Sequence, residues 1–108
     1  MASDYLIAFI TSPDRNTADR VADALVEGGH AACVNIIPGL TSVYYWQGEV
    51  HHDDEWLLLA KTTNRAWPML EQCVVDTHPD DVPEIVAAPL EEGLTSYLQW
   101  VRGQTLHA

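Results

Sequence analysis

Leu40-Thr41-Ser42-Val43-Tyr44-Tyr45-Trp46, a turn at Gln47-Gly48-Glu49, and the return through Glu55-Trp56-Leu57-Leu58-Leu59-Ala60-Lys61-Thr62 decide how this chain folds. A half-exposed antiparallel strand alternates apolar and polar residues. Here Val43 and Tyr45 share one face while Tyr44 and Trp46 share the other, and Leu57 and Leu59 oppose Trp56 and Leu58 in the same way. Both faces of the ribbon need cover. The helices of one small domain can cover one face only, so the pattern predicts an oligomer.

Upstream, Ala31 to Ile37 continues the first arm, and Pro38-Gly39 interrupts it. Proline cannot donate to a ladder and glycine bends easily, so a bulge or kink is expected there. Tyr5 to Thr11 is a continuous apolar run and reads as a central strand. Between them, Ala18, Val21, Ala22, Leu25 and Val26 form a helical stripe, with Asn16 as its cap and Gly28-Gly29 as its stop. Downstream, Asn64 is the expected cap of a second helix that buries Trp67, Leu70 and Val74 and ends at His78-Pro79. Glu84 to Leu90 reads as a short strand. After Gly93, the residues Leu94, Tyr97, Leu98 and Val101 recur at helical spacing. The order is β-α-β-β-α-β followed by an extra helix. It predicts an α+β, ferredoxin-like sandwich over residues 1–108, with both main helices on one sheet face and the other face open.

The chain has 108 residues, enough for a core without disulfides or a structural metal. Five Lys and Arg against sixteen Asp and Glu give a net charge of −11, which repels phosphate backbones and anionic lipid and attracts cations. Nucleic acid and membrane are therefore not expected partners. No run is long and apolar enough to span a bilayer. Met1-Ala2-Ser3-Asp4 lacks a basic leader, and Cys33 and Cys73 have no C-x-x-C spacing. These features predict two buried, reduced thiols in a cytoplasmic protein.

No dinucleotide, P-loop, nucleophile-elbow or zincin motif is present. With no nucleophile, base and orienter set, an enzymatic role is not expected. The candidate chemistry lies in clustered imidazoles and carboxylates. His51-His52-Asp53-Asp54-Glu55 alternates across a strand, placing His51, Asp53 and Glu55 on one face and His52 and Asp54 on the other. Imidazole with carboxylate suits Cu(II), Zn or Ni, although a solvated stretch on the return strand is the simpler explanation. Asp76, His78, Asp80, Asp81 and Glu84 gather at the negative end of the second helix, where carboxylates need an offset. A cation, solvation or basic groups from a neighbouring copy would supply it. Cys33 is a soft candidate ligand or a small core residue. Lys61, one of few cations, either pairs with an acid or faces a cleft. Trp46, Trp56 and Trp100 read as packing residues.

Three segments together resemble one family. They are LVEGGHAACVNIIP (25–38), GLTSVYYWQGEVHHDDEWLLLAKT (39–62) and HPDDVPEIVAAPLEEGLTSYLQW (78–100). The chain looks like a member of the CutA family of divalent-cation tolerance proteins. The resemblance implies a homotrimer of ferredoxin-like subunits whose long hairpins pair between copies, similar in shape to the PII signalling proteins. It also implies binding of divalent metal ions, chiefly copper, with Cu(II) not required for folding. His78 matches the family's His-Pro position, Glu84 its Pro-Glu-Ile and Cys33 its Ala-Cys-Val-Asn. Two positions depart from the pattern: Asp80 stands where an aromatic residue is common, and Ile10 where some members place a sulfur ligand.

The expected metal residues are thus His78, Glu84, Cys33, His51 and His52, acting as exposed ligands whose affinity falls below about pH 6 as histidine protonates. A PII-like regulatory trimer is the alternative. Its small ligand would sit in an inter-subunit cleft near Lys61, Trp46 and Glu55.

Overall fold

A computed structural model describes residues 4–105. Met1 to Ser3, which entered the reading of the leader, lie outside that range. The chain runs β1 (Tyr5–Ser12), α1 (Arg15–Glu27), β2 (Cys33–Trp46), β3 (Glu49–Thr63), α2 (Trp67–Thr77), β4 (Ile85–Pro89) and α3 (Thr95–Gln104). One antiparallel sheet has the order β2-β3-β1-β4. This is the split βαβ arrangement read from the order of elements.

The ribbon includes the polar stretch read as strand. β3 begins at Glu49, directly after a two-residue turn at Gln47 (φ 49°) and Gly48 (φ 81°). Positive φ at both positions matches the right-handed twist of the flanking strands, so pairing starts at once and carries His51 to Asp54 into the ladder. The register slips once, between Ile37 and Leu40, where Gly39 has φ 84°. β2 is an edge strand, so Pro38 is tolerated at this bulge. The ribbon extends the Cα trace to 45 × 27 × 22 Å.

Strand alternation sorts the sheet into two faces. Ala8 and Ile10 on β1 pair with Ala60 and Leu58 on β3. All four are fully buried, and they share one core with Val21 and Leu25 of α1 and Leu70 and Val74 of α2. The cap of α1 is Asp14, not Asn16: its carboxylate accepts the Thr17 N–H at 2.7 Å. That bond holds the Asp14 carboxyl below its ordinary range. Ser12 favours this choice by donating its hydroxyl to the Asp14 carbonyl at 2.8 Å. α2 is capped at Ala66 and not at Asn64. There Thr63 Oγ1 accepts the Ala66 N–H at 3.2 Å, which shifts the start of the helix by two positions.

The second sheet face is not wholly open. α3 docks across one end of it. Val101 is fully buried, Arg102 Nε donates to the Tyr5 hydroxyl at 3.2 Å, and Tyr97 lies against the Cys33 sulfur. Burial first, and the Cys33 thiol next, raise the Tyr97 phenol above its ordinary range. Leu94, part of the expected buried stripe, is 74% exposed. α3 meets the sheet with one edge only, and its other apolar side faces solvent. Cys33 and Cys73 are both free and half-buried, not fully buried as their apolar surroundings suggested.

Candidate functional site

The ribbon and the loop after α2 form the two walls of a groove of about 760 Å³. Six acidic residues line it: Asp53, Asp54 and Glu55 from β3, and Asp80, Asp81 and Glu84 from the loop. Tyr44 and Trp46 add aromatic surface, and among the described residues no lysine or arginine lines the groove.

The ribbon wall is ordered by one aromatic residue. Tyr44 pairs with His51 across the ladder, and the two rings stack with centroids 5.4 Å apart and planes at 17°. Strand alternation places Asp53 on the same face, and its carboxylate accepts a hydrogen bond from the Tyr44 hydroxyl. That bond is the main cause of a Tyr44 phenol raised above its ordinary range. His51 Nε2 donates to the Trp46 carbonyl at 3.2 Å. The ring therefore ties the strand end down and does not line the groove.

The loop wall is pinned by His78. Its Nε2 donates to the Thr11 carbonyl at 2.8 Å, and its Nδ1 accepts the Asp80 N–H at 3.1 Å. An Nδ1 that accepts and an Nε2 that donates define the neutral imidazole. The side chain is 1% exposed, and the Asp80 carboxylate sits 3.9 Å from Nδ1. His78 was expected as an exposed ligand. Instead it is buried, with both ring nitrogens engaged, because its α2 C-cap position turns it inward against β1.

The other expected residues are dispersed. Trp46, Glu55 and Glu84 line the groove. His52 is exposed and opposite Val43, on the strand face away from His51. Lys61 is half-buried and pairs in register with Cys33, far along β3 from the groove residues. It forms no ion pair among the described residues, so the expected pairing with an acid is not seen within one chain. Cys33 lies beneath Tyr97, also outside the groove. Among the described residues, no three His, Cys, Asp or Glu side chains converge as a preformed metal cage.

The sequence groups Asp80 and Asp81 with the end of the second helix and does not bring them opposite Asp53. The available signal was repetition: two acidic clusters on segments that the βαββαβ order places at the same end of β1.

The family model for the CutA1 divalent ion tolerance protein matches residues 6–104. The divalent-cation tolerance protein CutA of Thermus thermophilus is 54% identical over 99 residues, which cover 92% of this chain and 96% of that protein. Human protein CutA is 45% identical over 98 residues; the match covers 91% of this chain but only 55% of the human protein's length. The crystal structure of CutA1 from Oryza sativa superposes with a TM-score of 0.95 at 36% identity, covering 99% of this chain and 98% of that one.

Proposed function

This chain belongs to the CutA1 divalent ion tolerance family, and from that membership we propose that it is a homotrimeric, non-enzymatic binding protein for divalent cations such as Cu(II). One observation carries the reading: six acidic residues line a single groove that, among the described residues, no lysine or arginine lines. Like charges held across a groove repel one another, and a cation relieves that repulsion. The net charge of −11 adds an attractive field around the whole molecule.

The donor chemistry fits an oxygen-preferring divalent ion, with imidazoles close by on the ribbon. Because one chain holds no converging three-residue cage among its described residues, capture in the groove is exchangeable. Tighter coordination would require donors from adjoining copies.

The oligomer is supported by the ribbon itself. Val43, Tyr45, Trp46 and Val50 are 59%, 72%, 59% and 62% exposed in a single chain. Apolar surface of this kind marks an interaction face. The number three rests on the resemblance of the ribbon and loop motifs to the family. The free thiols Cys33 and Cys73 support a reducing compartment, the cytoplasm. No helix among the described residues is long and apolar enough to cross a membrane.

The test is equilibrium dialysis of Cu(II) against the parent chain and the Asp80→Asn/Asp81→Asn variant. A divalent ion and a carboxylate at about 4 Å in water attract by about 2 kcal/mol, so affinity should fall about thirtyfold for each carboxylate removed. Unchanged affinity would leave the family assignment standing and remove the groove from the account.

The groove volume also favours a second reading. About 760 Å³ walled partly by Tyr44 and Trp46 is large enough for a small organic molecule. A PII-like regulatory trimer would bind an organic cation there. Thermal shifts with organic cations but not with metal ions would select this reading over the first.

A further inference from the structure

The ribbon has two chemically different faces. Val43 and Tyr45 pair with His52 and Val50, which gives one face its exposed apolar residues. Tyr44 and Trp46 alternate onto the other face, where they line the acidic groove. Association of copies through the Val43 and Tyr45 face leaves the groove face for a different partner.

The groove is more than a group of acids. Tyr44, Trp46, Pro13, Pro79 and Val82 set apolar surface among the acidic side chains. Val82 is 90% exposed, and both aromatic rings are exposed as well. A metal ion takes oxygen, nitrogen and sulfur donors and leaves such surface unused. An occupant that uses both kinds of lining carries cationic heads on apolar stems. Arginine has that form: its planar guanidinium forks onto a carboxylate and stacks on an aromatic face, whereas the lysine ammonium is a strongly hydrated point charge. The stacking platform is fixed in advance, since the Trp46 carbonyl accepts from His51 Nε2 at 3.2 Å.

Two further observations select the form of the occupant. Apart from Thr11 and Glu55, the lining residues are exposed, so the groove is a shallow trough and not an enclosed cavity. Small-molecule sites bury most of their ligand, whereas an aromatic-lined trough suits an extended chain lying across it. A second copy offers five Lys and Arg against sixteen Asp and Glu, so charge complementarity points to a different, basic protein. We propose that the groove docks an extended, arginine-bearing segment of a partner protein, with guanidinium groups set on the acids of both walls and stacked on Trp46. This rests on the proposed role of the groove in binding cations. Divalent ions and the segment compete for the same acids, so a rise in divalent ions releases the partner.

The experiment is fluorescence anisotropy of a labelled peptide of alternating Gly and Arg, titrated with the full chain at low ionic strength. Saturable binding of one peptide per chain is the expected result. The citrulline version keeps the planar group without its charge and should not bind, and the lysine version should bind about threefold more weakly. Asp80→Asn/Asp81→Asn should weaken binding by about fivefold for each carboxylate removed, and Trp46→Ala by about threefold. All three positions are exposed, so the fold is kept. Asp23→Asn/Glu27→Gln removes the same charge from exposed positions on α1 and should bind as the parent does. Equal loss in that variant, parent-like binding in the groove variants, equal binding of the lysine peptide, or spermine binding as tightly as the arginine peptide would each overturn the proposal. A parent that takes up Cu(II) in dialysis but leaves the arginine peptide free would overturn it while sparing the metal reading. Uptake of the peptide without Cu(II) would support it and remove the metal reading alone.

Discussion

His78 and Thr11 are joined by a 2.8 Å imidazole-to-carbonyl hydrogen bond between residues 67 positions apart in sequence. The same ring accepts the Asp80 N–H, so one buried side chain connects the end of β1 to the acidic loop. The fold thereby commits a histidine of a metal-tolerance family to geometry: it sets where Asp80 and Asp81 stand relative to Asp53.

Removing that ring should be costly. His78→Ala leaves the buried Thr11 carbonyl and the part-buried Asp80 N–H without their partner. An unsatisfied buried polar group costs about 1–3 kcal/mol, so urea denaturation should show a loss of about 2 kcal/mol or more. Amide exchange of residues 79–82 should accelerate in the same variant. A fully stable His78→Ala protein with an unchanged loop would show that the ring does not position the groove wall.

The Tyr44–Asp53 bond makes an alkaline prediction. The phenol is raised, chiefly by its hydrogen bond to the carboxylate. For a raised group, the stabilising contribution is complete below the unfolded-state value, near pH 10, and is lost as pH climbs through the folded-state value. Difference absorbance of tyrosinate between the parent and Tyr44→Phe should show one phenol ionising above the ordinary tyrosine range. In Asp53→Asn that transition should move down. No change in Asp53→Asn would detach the two residues.

The exposed ribbon predicts assembly. Light scattering of the parent should give three times the 12.0 kDa chain mass. Tyr45→Glu puts a charge on a side chain that is 72% exposed in one chain, so it should spare the subunit fold while shifting mass toward the single copy. A parent that stays a single copy at micromolar concentration would contradict the oligomer.

Much of the fold was legible because burial leaves periodicity in sequence. Ala8 and Ile10 of the β1 run, Ala18, Val21, Ala22 and Leu25 of the α1 stripe, and the Leu70 and Val74 face of α2 lie in the core, whereas Val26, expected in the stripe, is 46% exposed. Boundaries were less legible because neighbouring residues offered equivalent chemistry. Asp14 and Asn16 are both good caps, and the Ser12 hydroxyl bond that favours Asp14 is not a local pattern. The polar start of β3, read as strand from its alternation, pairs from Glu49 because the Gln47-Gly48 turn brings the two arms together at once.

The groove was half legible. Composition marked both acidic clusters, but nothing local shows that Asp53 and Asp80 face the same space. Lys61 was grouped with Trp46 as a cleft residue, yet β3 carries it many residues beyond the groove, to the level of Cys33. The docking of α3 over Tyr5 and Cys33 was also not legible, since no local pattern shows which element packs on that sheet face.

The most direct test of the groove is paramagnetic broadening of backbone amide signals by substoichiometric Mn(II) in the parent protein. Early and selective loss of signals from Asp53 to Glu55 and from Asp80 to Glu84, with α1 and α2 sharp, is the expected result. Uniform broadening, or loss confined to another part of the surface, would contradict the account.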